Sequence, residues 1–325
     1  MKRVALLTVL VLALCQVDAK VIYVKLGGNG NGTSWEHALG SVQEALQRAK
    51  SGDQIWVAAG TYFTTTDNDR TKSFIIFDGL SLFGGFSGTE TSIAQRNVKQ
   101  NPTYLSGEIG TASRNDNAYT VVYTENVSAS TVIDGFTIAN GSANGSDESR
   151  YLEIGGAGWF NLASNGHTSS PKIQDCTFTQ NAGRQGAAIY NHSVNNGNCK
   201  PTIQNCTFLQ NKADFDGGAI MNYSESGDCS PKIMNCNFLA NEATYGAGVY
   251  NKAKSGKASP YMQNCLFKGN IAYIRDSGVH NARSEGSCEA ILAGCRFEQN
   301  TAAVGSGEAP SQFSTSTQST STSGY

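Results

Sequence analysis

Ten side chains could hold a ligand, and they fall in two places. Asp147, Glu148, Arg150 and Tyr151 crowd one insertion, while Arg184, Asp214, Phe215, Asp216, Tyr245 and Arg275 recur at one point of a repeated phrase. Aromatic rings supply flat apolar area with a polar tip, and ions between them orient what lands there, so the set suits an extracellular glycan or the surface of a partner protein. Catalysis asks for more. A glycoside hydrolase needs two carboxylates held roughly 5 to 10 Å apart; a lyase needs an acidic calcium cluster beside an Arg or Lys base. The chain has no Asp-Asp pair and no Gly-His-Gly segment, and Glu242 stacks between Lys212 and Ile271 rather than against another acid. No catalytic residue is therefore assigned and no cofactor is expected; calcium enters only if the chain is a lyase. With four histidines and no CxxC or CxxH spacing, no metal site is expected either.

The second group recurs because the chain repeats. Phe178, Phe208, Phe238, Phe267 and Phe297 stand 30, 30, 29 and 30 residues apart, each with an Asn three residues later (Asn181, Asn211, Asn241, Asn270, Asn300) and a Cys two residues earlier. A fixed period of this length marks a solenoid, in which one unit buries its apolar face only by stacking on its neighbours. Each unit holds three strand-sized pieces, for example 201–203, 206–208 and 218–221, which predicts an all-β, right-handed parallel β-helix. Successive coils lie about 4.8 Å apart, so each repeat position becomes a column. Phe and the Ile173, Ile203, Ile233, Met262 series should fill the interior. The Asn181 series, the Asp175, Asn205, Asn235, Asn264 series and the Asn191, Asn222, Asn251, Asn281 series should bond along the axis as ladders. Between the Phe-x-x-Asn strand and the Gly-Gly strand, a variable loop is expected to carry the candidate ligand residues.

Cys176, Cys206, Cys236, Cys265 and Cys295 share the parity of the inward Phe, which makes them a stacked core column, either as inert thiols or as alternating disulfides. Cys199, Cys229 and Cys288 form a second column, with Ser169 and Ala258 in its vacant slots. Stacked neighbours fall within the roughly 4.4 to 6.8 Å that a disulfide spans, which makes Cys199 and Cys229 the best candidate bridge.

The ends differ from the middle. Residues 1–19 read as a signal peptide, with Lys2-Arg3, an apolar run and a small-residue site ending at Ala19. Residues 20–53 should form a strand and an amphipathic capping helix, begun by Thr33 with Glu36 and ended by Gly52, with Trp35, Ala38, Leu39, Val42, Ala45, Leu46 and Ala49 on one stripe. Residues 54–305 form the β-helix, regular from about 154, and 306–325 are a Ser/Thr-rich disordered tail. The formal net charge of −2 offers nothing to nucleic acid. No stretch after signal cleavage is long and apolar enough to cross a bilayer. End-to-end self-association is expected if the last coil leaves its strand edges open.

The Phe-x-x-Asn phrases, together with Gly217-Gly218-Ala219-Ile220 and its variants at 155–157, 186–189, 246–249 and 276–279, resemble the repeats of chlamydial polymorphic outer membrane proteins and related pectin-lyase-like β-helix proteins. The opening, 32–35 through 52–62, is similar to that of secreted bacterial β-helix proteins. The resemblance implies a secreted or cell-surface protein with an adhesion, binding or structural role. The chlamydial proteins end in a membrane β-barrel; this chain ends in a Ser/Thr tail. A glycan-active enzyme of the lyase or glycoside hydrolase kind, using the same rim, is the second reading.

Overall fold

The computed structural model describes residues 19–304; the expected signal peptide, but for Ala19, and the expected tail lie outside the described residues. Every strand pairing among them is parallel and joins one coil to the next, which makes the molecule a right-handed parallel β-helix. Each regular coil contributes four strands, taken in chain order from Lys172–Gln174, Thr177–Thr179, Ala182–Gln185 and Ile189–Ser193. These extend into a first sheet of nine strands, a second of eight, a third of six and a fourth of seven.

Three strands per coil were expected, and four main ones are present, with a fifth, two-residue strand in two coils, Thr168–Ser169 and Asn198–Cys199. The extra main strand is the segment read as a variable loop, which pairs from coil to coil as the third sheet. Two features let it pair despite its charged residues. Small inward residues, Ala213, Ala243 and Ala272, fill a narrow strip of core, and register shifts between Lys212 and Asp216 absorb the extra residue of that coil.

The interior is built from identical neighbours. Phe178, Phe208, Phe238, Phe267 and Phe297 stack with ring centroids 5.1, 4.8, 4.5 and 4.7 Å apart and nearly parallel planes. Ile173, Ile203, Ile233 and Met262 form a second fully buried column. Burying polar amides beside them is tolerable only if each finds partners. Asn211 Nδ2 donates to Asn241 Oδ1 at 3.0 Å and to the Phe178 carbonyl at 3.0 Å, while its Oδ1 accepts from the Asn181 backbone at 3.2 Å and the Asn181 amide at 3.0 Å. The same bonds repeat at Asn241 and Asn270. Along the fourth sheet, Asn161, Asn191, Asn222, Asn251 and Asn281 form a second ladder with N···O distances of 2.8 to 3.2 Å. Asp175, Asn205, Asn235 and Asn264 sit at an exposed corner in the left-handed conformation that Asn and Asp tolerate best. At the corner before the fourth sheet, Gly186, Gly217 and Gly246 take φ of +52, +68 and +58, which explains the glycine that opens each of these phrases.

The cap is shorter than its hydrophobic stripe. Helix α1 spans Val42–Arg48 and is capped by Ser41, whose hydroxyl accepts from the Glu44 backbone at 3.4 Å. Residues 33–40, expected as its first turns, instead run beside the first strand: Leu39 accepts from Lys25 and donates to Tyr23, each at 2.9 Å. Trp35, Ala38 and Leu39 are buried as their stripe demanded, but through pairing with an edge strand rather than helical periodicity. Covering that edge is what α1 and this segment accomplish together.

All eight cysteines from Cys176 to Cys295 are free thiols. The expected Cys199 to Cys229 bridge is absent because each sulfur turns to the preceding coil: Cys199 Sγ donates to the Asn161 carbonyl at 3.6 Å and Cys229 Sγ to that of Asn191 at 3.3 Å. Burial pushes the thiols of Cys206 and Cys229 far up and that of Cys288 to about 12. At neutral pH these three are protonated and inert.

Two outcomes follow. Asn211→Leu leaves the Asn181 N–H, the Asn181 amide and the Phe178 carbonyl unpaired, each costing about 1–3 kcal/mol. Because coupling in a solenoid is local, amide exchange should accelerate across neighbouring coils while residues 54–58 keep their protection. Iodoacetamide applied to the native protein should spare the seven buried thiols from Cys176 to Cys288, and after unfolding without reductant should label all of them; a pair that stays unlabelled would mean that a disulfide forms.

Candidate functional site

Strand alternation sends every second residue of the fourth sheet outward. In Ile189–Ser193, Ile189 and Asn191 face the core, so Tyr190 and His192 face out. Pairing places Tyr123, Phe160, Tyr190, Met221, Tyr250 and His280 in one outward column, and Glu125, Leu162, His192, Tyr223, Lys252 and Ala282 in the next. Phe160, Tyr190, Met221 and Tyr250 are buried although they point away from the core, because they pack on one another and under a strap.

The strap is the insertion at 144–154, which ends in one helical turn, α2 (Tyr151–Ile154). It is pinned at both ends. Thr120 Oγ1 donates to the Leu152 carbonyl at 3.0 Å, and Arg184 bonds Glu148 at 3.0 Å. The guanidinium of Arg184 also faces the ring of Phe215, 5.3 Å from its centre. Tyr151 meets His192 in a T-shaped contact, with centroids 4.6 Å apart. His192 lies stacked between Tyr190 at 5.4 Å and Tyr223 at 5.0 Å.

Tyr151 divides the face. On one side is a cavity of about 400 Å³, bounded by Tyr123, Phe160, Leu162, Leu152 and His192. On the other, a small recess of about 200 Å³ beside Tyr190 and Tyr223 leads to a cleft of about 330 Å³ lined by Arg184, Phe215, Asp216, Tyr245, Lys252 and His280. In the cleft, burial pushes the Asp216 carboxyl up to about 6, with Lys252 and His280 pulling it back. His280 Nδ1 meets Asp276 Oδ2 at 2.6 Å. Burial also holds His192 down at about 4, hence neutral, and pushes the Tyr223 hydroxyl up to about 12.

Six of the ten expected residues meet here. Glu148, Arg184, Phe215, Asp216 and Tyr245 line the cleft, and Tyr151 divides the face. Arg150 stands at the mouth of the cavity, tied to Glu153 at 2.8 Å. Asp147 is spent inside the strap, accepting from the Ser149 backbone and hydroxyl. Asp214 is exposed, and Arg275 pairs with Tyr245 along the third sheet; neither lines the cavity, the recess or the cleft. The outward residues of the fourth sheet were missed. Their signal was present: the residue just before each ladder Asn reads Phe160, Tyr190, Met221, Tyr250, His280. Among the described residues no group of three or more His, Cys, Asp or Glu could hold a metal ion.

A family model described as a protein of unknown function (DUF1565) matches residues 26–285. The crystal structure of pectate lyase Pel9A aligns at a TM-score of 0.48 and 11% identity, over 83% of this chain and 70% of that one. No curated protein matches.

Asp216 gives the face a pH signature. A carboxyl with a raised folded pKa holds its proton more tightly in the native state, so its contribution to stability is complete below about pH 4 and lost as pH rises through 6. Asp216→Asn should match the parent in stability at pH 3.5 and exceed it at pH 7.5 by up to about 3 kcal/mol, seen as equal thermal midpoints at the lower pH and a higher one at the upper. Equal midpoints across that range would place the carboxyl in water.

Proposed function

We propose that this chain, which belongs to the family of proteins of unknown function designated DUF1565, binds a carbohydrate chain along the outer face of its fourth sheet without cleaving it. The observation that carries this is the set of part-exposed tyrosines, Tyr151, Tyr223 and Tyr245, which stand beside the buried outward residues Tyr190, Met221 and Tyr250 and border the recess and cleft. The recess and cleft are lined by residues of successive coils, which repeat at about 4.8 Å along the axis, so they run lengthwise and fit a linear ligand better than a rounded one. Tyrosines add hydroxyls at the ring edges, where sugar hydroxyls can pair.

Cleavage is disfavoured by how the acids are engaged. Glu148 is paired to Arg184 and Asp276 to His280, so Asp216 has no uncommitted second carboxyl in the cleft to share acid and base roles. A binding face without turnover suits a secreted or cell-surface protein with an adhesive role, in keeping with the likeness of its Phe-x-x-Asn repeats to those of polymorphic outer membrane proteins.

Affinity electrophoresis of the mature protein through gels containing neutral or acidic polysaccharides tests the reading. At least one polysaccharide should retard the parent, and Tyr223→Ala and Tyr245→Ala should each weaken the interaction about tenfold, near 1.4 kcal/mol. Unchanged retardation in both variants would remove the face from the interaction. Release of reducing or unsaturated ends during incubation would make the protein an enzyme.

A further inference from the structure

We infer that the cavity on the Tyr123 side of Tyr151 is a separate site for a small uncharged ligand with an apolar body and a hydroxyl group. Its volume of about 400 Å³ lies in the range of small-molecule sites, roughly 300 to 1,000 Å³. Tyr123, Phe160, Leu162, Leu152 and Val194 give it apolar walls. Such a site needs a few polar groups to orient what enters, and His192 is one with nothing else to do.

His192 is wholly buried, and neither of its ring nitrogens has a hydrogen-bond partner. The nearest charged atom, Glu225 Oε2, stands 3.9 Å from Nε2, beyond hydrogen-bond reach. Leaving such groups unpaired costs about 1–3 kcal/mol each, which a ligand that pairs with them returns as affinity. A neutral imidazole has one N–H and one lone pair. A hydroxyl both donates and accepts, so it can serve either nitrogen. An anion would have to shed its water against Phe160 and Leu162, and the one guanidinium at the mouth, Arg150, is already paired with Glu153. The ring of Tyr151 stands in T-shaped contact over His192, so the hydroxyl reaches the imidazole as Tyr151 turns aside. An alkylphenol has the required shape and chemistry. This site does not depend on carbohydrate binding, which uses the cleft beyond Tyr151.

Calorimetric titration of the mature protein with 4-propylphenol, propylbenzene and 4-propylbenzoate tests the assignment. Saturable one-to-one binding of 4-propylphenol is expected, at least tenfold tighter than that of the other two. His192→Phe keeps a ring between Tyr190 and Tyr223 and should erase the preference for the phenol over propylbenzene. Tyr151→Ala should preserve or strengthen it. In the parent, the ring resonances of His192 should shift on addition of 4-propylphenol while those of His37 stay in place, a readout that needs no variant to fold. Absence of saturable binding by all three probes, an undiminished preference in His192→Phe, or an unmoved His192 resonance would each overturn the proposal.

Discussion

Everything in this molecule depends on one spacing. Coils in register repeat at about 4.8 Å, close enough that a buried side chain has its own copy as its main neighbour. That suits a flat ring, which stacks on its equivalent, and a primary amide, which carries both donor and acceptor and can pass one bond to the next coil. It suits little else. The interior of the regular coils is accordingly columns of Phe, Ile and Asn, with Cys in slots where a small apolar group with a weak donor can meet a carbonyl. Groups that cannot be satisfied by their own repeat are driven outward.

The outer face of the fourth sheet follows from the same spacing. Alternation fixes which residues leave the core, and register aligns them into one column across six coils, five rings and Met221. A solenoid cannot close a pocket by curling around it, so enclosure must come from an insertion. The strap at 144–154 provides it, and because Arg184 and Thr120 pin its two ends to neighbouring coils, Tyr151 is held above the sheet rather than left to drift. One insertion thus turns a continuous face into two compartments of different character, an apolar cavity and a charged cleft.

Much of this could be read from the residues in order. The interval between Phe178 and Phe208 dictates the solenoid, and the Asn three places on marks the ladder; both are buried as the period requires. The third sheet escaped because its strands differ in length from coil to coil and carry Arg184, Asp214 and Asp216, a composition that reads as loop until neighbouring coils pair with it. The early half of the cap was misread for a related reason. Trp35 to Leu39 have helical periodicity, but the unpaired edge of Val21–Val24 offers them backbone partners that a helix would forgo. The outward aromatic line was visible as a column, yet its members alternate with ladder residues and mix Phe, Tyr, Met and His, so no run of like letters announces them. Contacts across coils, rather than preferences along the chain, decided each of these cases.

The interior amide ladders also have a direction. In both, the Nδ2 of each Asn points toward the coil that follows in sequence, from Asn181 to Asn270 and from Asn161 to Asn251. The rod is therefore polar, like a row of magnets laid head to tail. A duplicated coil of the same sense can be spliced in anywhere along it with every junction already matched. A coil of reversed sense would set donor against donor at two levels at once. Growth and shrinkage by whole coils is thereby the easy evolutionary path for this chain, and the separation between cavity and cleft is a length that such events can reset in steps of one turn.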